Sequence, residues 1–551
     1  MLKEISCDQF IENGKVRGPI VFNKGLNVVL GGHSGTNSIG KSTFLMIIDF
    51  VFGGDDYVKK DHDVQKNIGQ HVINFAFEFD GKDYYFSRST EDFQYVNVCD
   101  EEFNPIEDKI LSTDEYRDFL SKQYKLDLPK LSFRNAVGRF IRVYNRETTD
   151  EKHPLQNATK ESEKQQVYSL LKLFDHYSSI EKREAAEKEA SYKFKTFKNA
   201  AGYKYVPVVE TQKQFKDNLK KIDKLKQELV ELESQNNDGT FNIDDFEAER
   251  LRKIRSNLSQ LREQRNVYRN RLNTIKINEE AGSGKNRSNY RELKKFFPSV
   301  NINKIEQIDH FHHQITKILK KEFEQETNTI NDIIEMLSKQ IYVLVDEARK
   351  IKNQQAPNVQ TALLNEYADK KAELKKLEDE NRNFEKKKEL EQAKKDQQEA
   401  LMATVNTEIA EVQRLINNKM EDLNEEVCES SSFQPPIIQL GPKGYTFETI
   451  NDQGTGTSYK GLILFDQACL ELTALPFVVH DSLLFPNIEL ERRNKIIEMY
   501  GKATKQIFIS IDTIEILSDQ AQKVINDHTV LELERGGREL FGRSWNEQNA
   551  E

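Results

Sequence analysis

The chain reads as an α/β protein whose head is split between its two ends, with an antiparallel α-helical coiled-coil hairpin inserted between them. Three observations predict this. Strand-rich stretches with glycine turns lie at both ends, a glycine-bearing loop ending in Lys-Ser follows an early apolar run, and the middle of the chain is glycine-poor with apolar residues at heptad spacing.

Residues 1–170 form the first lobe. Short β-rich runs (Pro19 to Phe22, Leu26 to Leu30, Val72 to Phe79, Tyr84 to Ser87) alternate with Gly and Asp turns, the pattern of strands in an α/β domain. Residues 171–432 are rich in Lys, Glu, Gln and Asn. Within them Leu251, Ile254, Leu258, Leu261, Tyr268, Leu272 and Ile275 follow steps of three and four, interrupted only at Arg265. Such a stretch of about 35 residues spans roughly 50 Å as a helix. Val405, Ile409, Val412, Ile416 and Leu423 give a second seam on the return side, and the turn Ala281 to Ser288 marks the reversal, with a helical tip near 281–345. Breaks at Tyr203 to Pro207, Asn236 to Gly239 and Pro357 make the arm segmented. From 433 to 551 a second strand-rich lobe contains Leu475 to Val479 and Gln506 to Ile511.

Composition agrees with a long exposed arm. Of 551 residues only 37% are hydrophobic and 31% are charged, too polar for one large globule. The formal net charge of -10 argues against coating nucleic acid by bulk attraction, while leaving a local basic groove open. Cys7, Cys99, Cys428 and Cys469 form no CxxC pair, which excludes a zinc hook. The acidic start lacks signal-peptide character and no apolar stretch reaches membrane-spanning length, so the expectation is a cytoplasmic protein without a membrane partner.

The sharpest motif is Gly35-Thr36-Asn37-Ser38-Ile39-Gly40-Lys41-Ser42, which fits G-x-x-x-x-G-K-[ST] between the apolar run Leu26 to Leu30 and the helix-like Thr43 to Ile48. A glycine-bearing loop lets successive N–H groups turn toward phosphate oxygens at a helix N-terminus. Lys41 would reach the β and γ phosphates of ATP, and the Ser42 hydroxyl would bind Mg²⁺.

Leu475 to Asp481 is an apolar strand ending in an acid, and Asp481 would hold the Mg²⁺ shell opposite Ser42, the Walker B role. Asp452 to Ser458, with Gly454 and Gly456, opens an apolar helix at Gly461 to Leu472. It reads either as a second phosphate contact or as a plain hairpin turn.

At these residues the chain resembles the SMC/RecN/RecF group of ABC ATPases, and within it the ATPase subunits of bacterial defence operons, including three-component ABC systems. The resemblance rests on Gly25 to Val29, Asn37, the Ser458 region, Asp481 followed by Ser482, and Leu540-Phe541-Gly542-Arg543. It implies an ABC-type P-loop ATPase head that uses ATP and Mg²⁺. Gly35, Asn37, Ser38, Ile39, Gly40, Lys41, Ser42 and Thr43 would hold the nucleotide, and Gly454, Gly456 and Ser458 would cap it from a second subunit in an ATP-sandwiched homodimer. It also implies coupling to nucleic acid or to an operon-encoded effector protein, in antiphage defence or DNA repair. Three departures limit what the resemblance carries over, and the first implies slow turnover. Ser482 stands where the family has a glutamate, unless His480 or Glu489 substitutes as base; Asp512 stands where a switch histidine is expected and would orient a water; and the signature loop lacks Gly-Gly-Gln.

Two weaker signals remain. Arg134, Arg139 and Arg142 sit among apolar residues where the family's Q-loop lies, and either sense nucleotide or DNA phosphate or pair with an acidic chain. His310 and His313 share a helix face and read as surface residues rather than a metal site.

Overall fold

The computed structural model describes residues 1–32, 39–158, 160–235, 250, 253–254, 256–269, 271–272, 326–350, 361–428, 433–452 and 454–544. The chain divides into two compact units, Met1–Ala186 with Gln398–Glu551, and Glu187–Gln397.

The first unit is the head, and it holds two sheets. One is antiparallel in the order β4-β1-β6-β7-β8-β9, formed by Ile20–Val21, Leu2–Ser6, Val72–Phe79, Lys82–Ser89, Tyr95–Cys99 and Pro105–Ser112. The other is parallel in the order β10-β13-β14-β5-β15, formed by Ile141–Arg142, Phe477–His480, Gln506–Ile511, Leu26–Gly31 and Thr529–Leu533. Two hairpins complete the strands: β2 (Ile11–Glu12) with β3 (Lys15–Val16), and β11 (Pro436–Leu440) with β12 (Tyr445–Thr449).

The parallel sheet interleaves the two ends of the chain. β5, from the N-terminal end, runs between β14 and β15 from the C-terminal end, with Leu26 beside Ile507 and Val28 beside Ile509. Every residue of β5 and of β14 is buried, as expected of inner strands covered on both faces, which read as unbroken apolar runs rather than alternating ones. In β5 the polar exception, Asn27, is satisfied internally: its Oδ1 accepts from the Asn23 N–H at 2.7 Å and its Nδ2 donates to the Gly25 carbonyl at 2.9 Å. The expected strand runs thus form, and the fold is α/β on a parallel sheet, as the sequence predicts.

Parallel order has a functional consequence. The C-terminal ends of β5, β14, β13 and β10 all open on one edge of the sheet, where loops of open α/β folds bind ligands.

One expectation fails in a way that has a clear physical cause. Val405, Ile409, Val412, Ile416 and Leu423, read as the return seam of the coiled coil, lie on the helix Thr361–Cys428 but are buried in the large core of the head. The helix does present an apolar stripe there, and the stripe packs into the core of the head.

The second unit contains the arm, and its helices pair antiparallel. The helix Gln212–Gln235 sets Ile222 and Leu225 against Leu377 and Leu374 of Thr361–Cys428. Asn218 bonds Glu380 at 3.1 Å and Lys370 bonds Glu228 at 2.5 Å, so the two helices run in opposite directions. Further along, Ile254, Leu258 and Leu261 pack on Ile341, Leu344 and Ala348, with Arg271 on Glu326 at 2.7 Å and Arg250 on Glu347. The partner of the first heptad seam is therefore the segment 326–350, not 405–423. Leu251, Ile275, the reversal at Ala281 to Ser288, and His310 and His313 lie outside the described residues.

Candidate functional site

The site grows from the C-terminal edge of the parallel sheet. β5 ends at Gly31 and the chain re-enters at Ile39 to start the buried helix Lys41–Val51; Gly35, Asn37 and Ser38 lie outside the described residues. Gly40 caps this helix with φ +98°, a left-handed conformation glycine adopts without a side-chain penalty. Gly40 provides no side-chain cap and the first turn itself carries no acid, so the helix dipole there favours an anion. Ile39, Gly40, Lys41, Ser42 and Thr43 thus stand where phosphate oxygens would be met.

Lys41 is 6% exposed, and its Nζ lies 2.5 Å from Oδ1 of Asp512, the residue that follows β14. A β-carbon on Gly31 would fall 3.0 Å from that Nζ and 3.1 Å from that oxygen, so the glycine ending β5 leaves room for the pair. Asp512, expected to orient a water, has its carboxylate turned toward the Lys41 ammonium and is itself 30% exposed.

Asp481 follows β13, one strand beyond Asp512. It is 1% exposed, and its Oδ1 accepts from the Ser510 hydroxyl at 2.7 Å and the Ser482 N–H at 2.8 Å, while Oδ2 accepts from the Tyr144 N–H at 3.1 Å. With neighbouring strands about 4.8 Å apart, Asp481 lies about 10 Å across the sheet from the phosphate-loop strand, a span bridged in principle by a hydrated cation and a phosphate.

The residues expected to replace a catalytic glutamate are disposed differently from one another. Ser482 opens a short 3₁₀ turn, Ser482–Leu484, at the same edge. His480 is fully buried and points into the protein. Its Nδ1 lies 2.6 Å from Tyr500 Oη and its Nε2 lies 3.0 Å from Asp466 Oδ2. Burial raises the Tyr500 phenol well above its ordinary value, which keeps it a donor. His480 is therefore not a substitute base, because both ring nitrogens are engaged away from the cleft. Glu489 is exposed at the start of the helix Leu490–Gly501 and pairs with Arg492 at 3.3 Å.

Gly454 caps the helix Thr455–Leu472. Asp452 braces the turn, accepting from the Gly454 N–H at 3.1 Å and the Thr457 hydroxyl at 2.8 Å; hydrogen bonding to Thr457 is the largest cause holding its carboxyl below the usual range. Gly456 packs closely on the Asn487 carbonyl, which sets the loop beside Glu489, and Ser458 is half-exposed in the first helical turn with its hydroxyl on the Gly454 carbonyl at 3.2 Å.

The three arginines are structural. Arg134 Nη2 donates to the fully buried Asp49 at 2.5 Å; Arg139 donates to the Leu155 carbonyl at 2.6 Å and to Glu161 at 3.3 Å. Arg142, 0% exposed, forks onto Asp466 through Nε at 2.8 Å and Nη2 at 2.6 Å. Burial would raise the Asp466 carboxyl, but the Arg142 charge and the bonds from Arg142 and His480 outweigh it and hold it below the usual carboxylate range. Of the two readings the sequence leaves open for these side chains, the structure shows ion pairing inside the head.

Beyond Leu540 to Arg543, which the resemblance singles out, sequence reasoning missed Asp61 and Asn145. A cleft of about 240 Å³ beside the helix start is lined by Ser42, Thr43, Asp61, Asn145, Leu540 and Arg543, among others. Asn145 follows β10, is exposed and has φ +66°, a conformation that asparagine tolerates better than most residues. Its neighbour Tyr144 donates to Asp481, so this turn lies against the acid strand. Burial raises the Asp61 carboxyl, and the Thr43 hydroxyl bonds to it. The Leu540 N–H donates to the Ile39 carbonyl at 3.0 Å, and a β-carbon at Gly40 would fall 2.5 Å from Leu540 Cβ, so the C-terminal segment clamps the end of the phosphate loop. Only a residue with αL tolerance at 145 hints at this from sequence.

The arrangement suits a magnesium nucleotide: an uncapped helix start, a buried lysine, a hydroxyl at Ser42 and a buried carboxylate converge on one sheet edge. Residues 418–545 match a family model described as "Uncharacterised protein conserved in bacteria (DUF2326)", a span that takes in Asp481, Asp512 and Leu540 to Arg543 but not the phosphate loop. Comparison with curated proteins gives no match. Among solved structures, the chain is similar to an Smc head domain with a coiled coil and joint from Pyrococcus yayanosii, at 14% identity and TM-score 0.46, covering 98% of this chain and 96% of that one. It is also similar to an Smc head domain with an extended coiled coil, bound to the C-terminal domain of ScpA, from Pyrococcus furiosus, at 11% identity and TM-score 0.33, covering 98% and 95%. Among the described residues no helix is long and apolar enough to cross a membrane.

Proposed function

We propose that this chain is an ATP-binding and slowly ATP-hydrolysing head of the SMC-like ABC kind, whose nucleotide-dependent dimerisation controls engagement of nucleic acid and of a partner effector protein, in antiphage defence or DNA repair. The observation that carries the reading is the convergence of Lys41, Asp512 and Asp481 at the ends of three adjacent parallel strands, β5, β14 and β13, beside an uncapped helix start. When bound, Mg²⁺ would neutralise phosphate charge between Ser42 and Asp481. Lys41 and the N–H groups of the first helical turn would hold the β and γ phosphates. Asp481, fixed by Ser510 and the Tyr144 N–H, is oriented without reorganisation. Ser458, Gly454 and Gly456 at a free helix start offer the surface that would cap a nucleotide held by a second copy.

The absence of a carboxylate at Ser482 supports slow turnover, since a hydroxyl is a poor general base at neutral pH. Glu489 beside the Gly456 loop is the acid we assign to that role in the assembled dimer. A second reading, a nucleotide-bound scaffold acting on a partner through its arm, is favoured by the same serine. Titration of ATP with Mg²⁺ into the full chain tests the first: Lys41→Ala is expected to weaken binding at least about 100-fold, and unchanged affinity would sink the nucleotide reading. Turnover measured with double-stranded DNA, single-stranded DNA and RNA separates the two readings. Stimulation lost in Asp481→Asn supports the enzyme, and tight binding with no turnover under any condition supports the scaffold.

A further inference from the structure

We infer that Asp512 is a specificity residue of the nucleotide site: an anionic counter-ion to Lys41 that competes with the terminal phosphate, so that the head alone discriminates against a triphosphate relative to a diphosphate. This rests on the nucleotide-site reading above and deepens it.

The geometry is direct. Asp512 Oδ1 lies 2.5 Å from the ammonium of Lys41, and Lys41 is 6% exposed while Asp512 is 30% exposed. The pair lies over the end of β5, where a β-carbon on Gly31 would approach both partners to about 3 Å. Glycine at this point means that the strand end, the lysine and the acid are fitted to one another. Asp512 is also held in place by the sheet: Ile511 before it pairs with Leu30, so Asp512 leaves β14 beside the end of β5.

A lysine at this position of a phosphate loop serves the β and γ phosphates. A γ-phosphate that reaches Lys41 brings its charge to within roughly 5 Å of the Asp512 carboxylate, where like charges in a partly buried site repel strongly. A diphosphate ends one group earlier and feels less of this repulsion. Asp481 is set one strand farther from β5 than Asp512, and its charge faces the proposed Mg²⁺ position rather than Lys41. The carboxylate is thus placed to select on the number of phosphates, and any partner or second head that draws Asp512 off Lys41 raises triphosphate affinity without touching the phosphate loop.

The test compares Mg²⁺ with ADP and Mg²⁺ with a non-hydrolysable ATP analogue on wild type, Asp512→Asn, Asp512→Ser and Lys41→Ala, with near-ultraviolet circular dichroism as a check of head packing. The expected result is that both Asp512 variants bind the ATP analogue at least about tenfold more tightly while ADP affinity changes by less than about threefold. The gain is expected to vanish when Lys41→Ala is added. Unchanged or weaker binding of the analogue, or an equal gain for both nucleotides, overturns the inference. Wild-type binding retained in Lys41→Ala overturns the nucleotide reading itself, an outcome read from a different variant.

Discussion

Asp466→Ala is expected to destabilise the head by about 4 kcal/mol, a figure that follows from what it leaves behind. Arg142 and Asp466 are both fully buried and joined by two hydrogen bonds of 2.8 and 2.6 Å, and the other partners of the guanidinium are the Thr148 carbonyl at 2.6 Å and the Pro154 carbonyl at 2.9 Å. With charge centres about 4 Å apart and an effective dielectric constant near 20, the pair attraction is about 4 kcal/mol. Removing one partner of a buried pair costs about 3–5 kcal/mol, mostly because the other charge is left uncompensated. His480 loses its acceptor in the same step. Urea unfolding followed by near-ultraviolet circular dichroism reports on the head, where ring contacts such as Phe52 on Phe477 and Phe75 on Phe86 are concentrated. With a slope of about 2 kcal/mol per molar urea, the midpoint falls by about 2 M. Arg142→Met combined with Asp466→Leu removes both charges and is expected to recover part of the loss. A single-variant loss below about 1 kcal/mol, or a double variant worse than the two singles added together, refutes the account.

The same network sets a pH dependence. Burial raises Asp49 but the charges and bonds of Arg134 and Arg146 outweigh it, so both Asp49 and Asp466 have lowered folded values; their stabilisation is fully present above the unfolded carboxylate value near 4 and is lost as pH falls through the lower folded values. Acid titration of the midpoint should therefore show a steep loss below about pH 4 that is shallower in Asp466→Asn. Gly40→Ala forces a left-handed alanine against Leu540 and is expected to cost about 1–3 kcal/mol and to weaken ATP binding; Leu540→Ala in the same chain should return part of the melting temperature, and no return argues against the clamp. Ser482→Glu should raise turnover about 100-fold if that position faces attacking water, and an unchanged rate would place the base elsewhere.

What was legible in the sequence is what is written locally. Lys41 and its flanking strand and helix are adjacent in the chain, and Asp481 ends an apolar run that only a buried strand explains. Long-range partners are a different matter. Nothing near Arg142 announces an acid 324 residues away, and an arginine that pairs with Asp466 looks the same in sequence as one that touches phosphate. The stripe from Val405 to Leu423 shows the same limit: periodicity identifies the buried face of a helix and is silent on what covers it. The His480 side chain was misjudged as a potential base because strand alternation alone does not tell which layer of a doubly covered sheet a residue faces.

The interleaving of β5 between β14 and β15 sets the order in which the molecule becomes competent. Arg142 waits for Asp466 across 324 residues, an interval of roughly 15–65 s at ordinary rates of peptide synthesis. Throughout it the apolar strand Leu26–Gly31 has neither neighbour, with both edges open to mispairing. The early-made half of the head thus stays without its sheet partners while the arm is being made, and the proposed nucleotide site is complete only when the late strands close around β5.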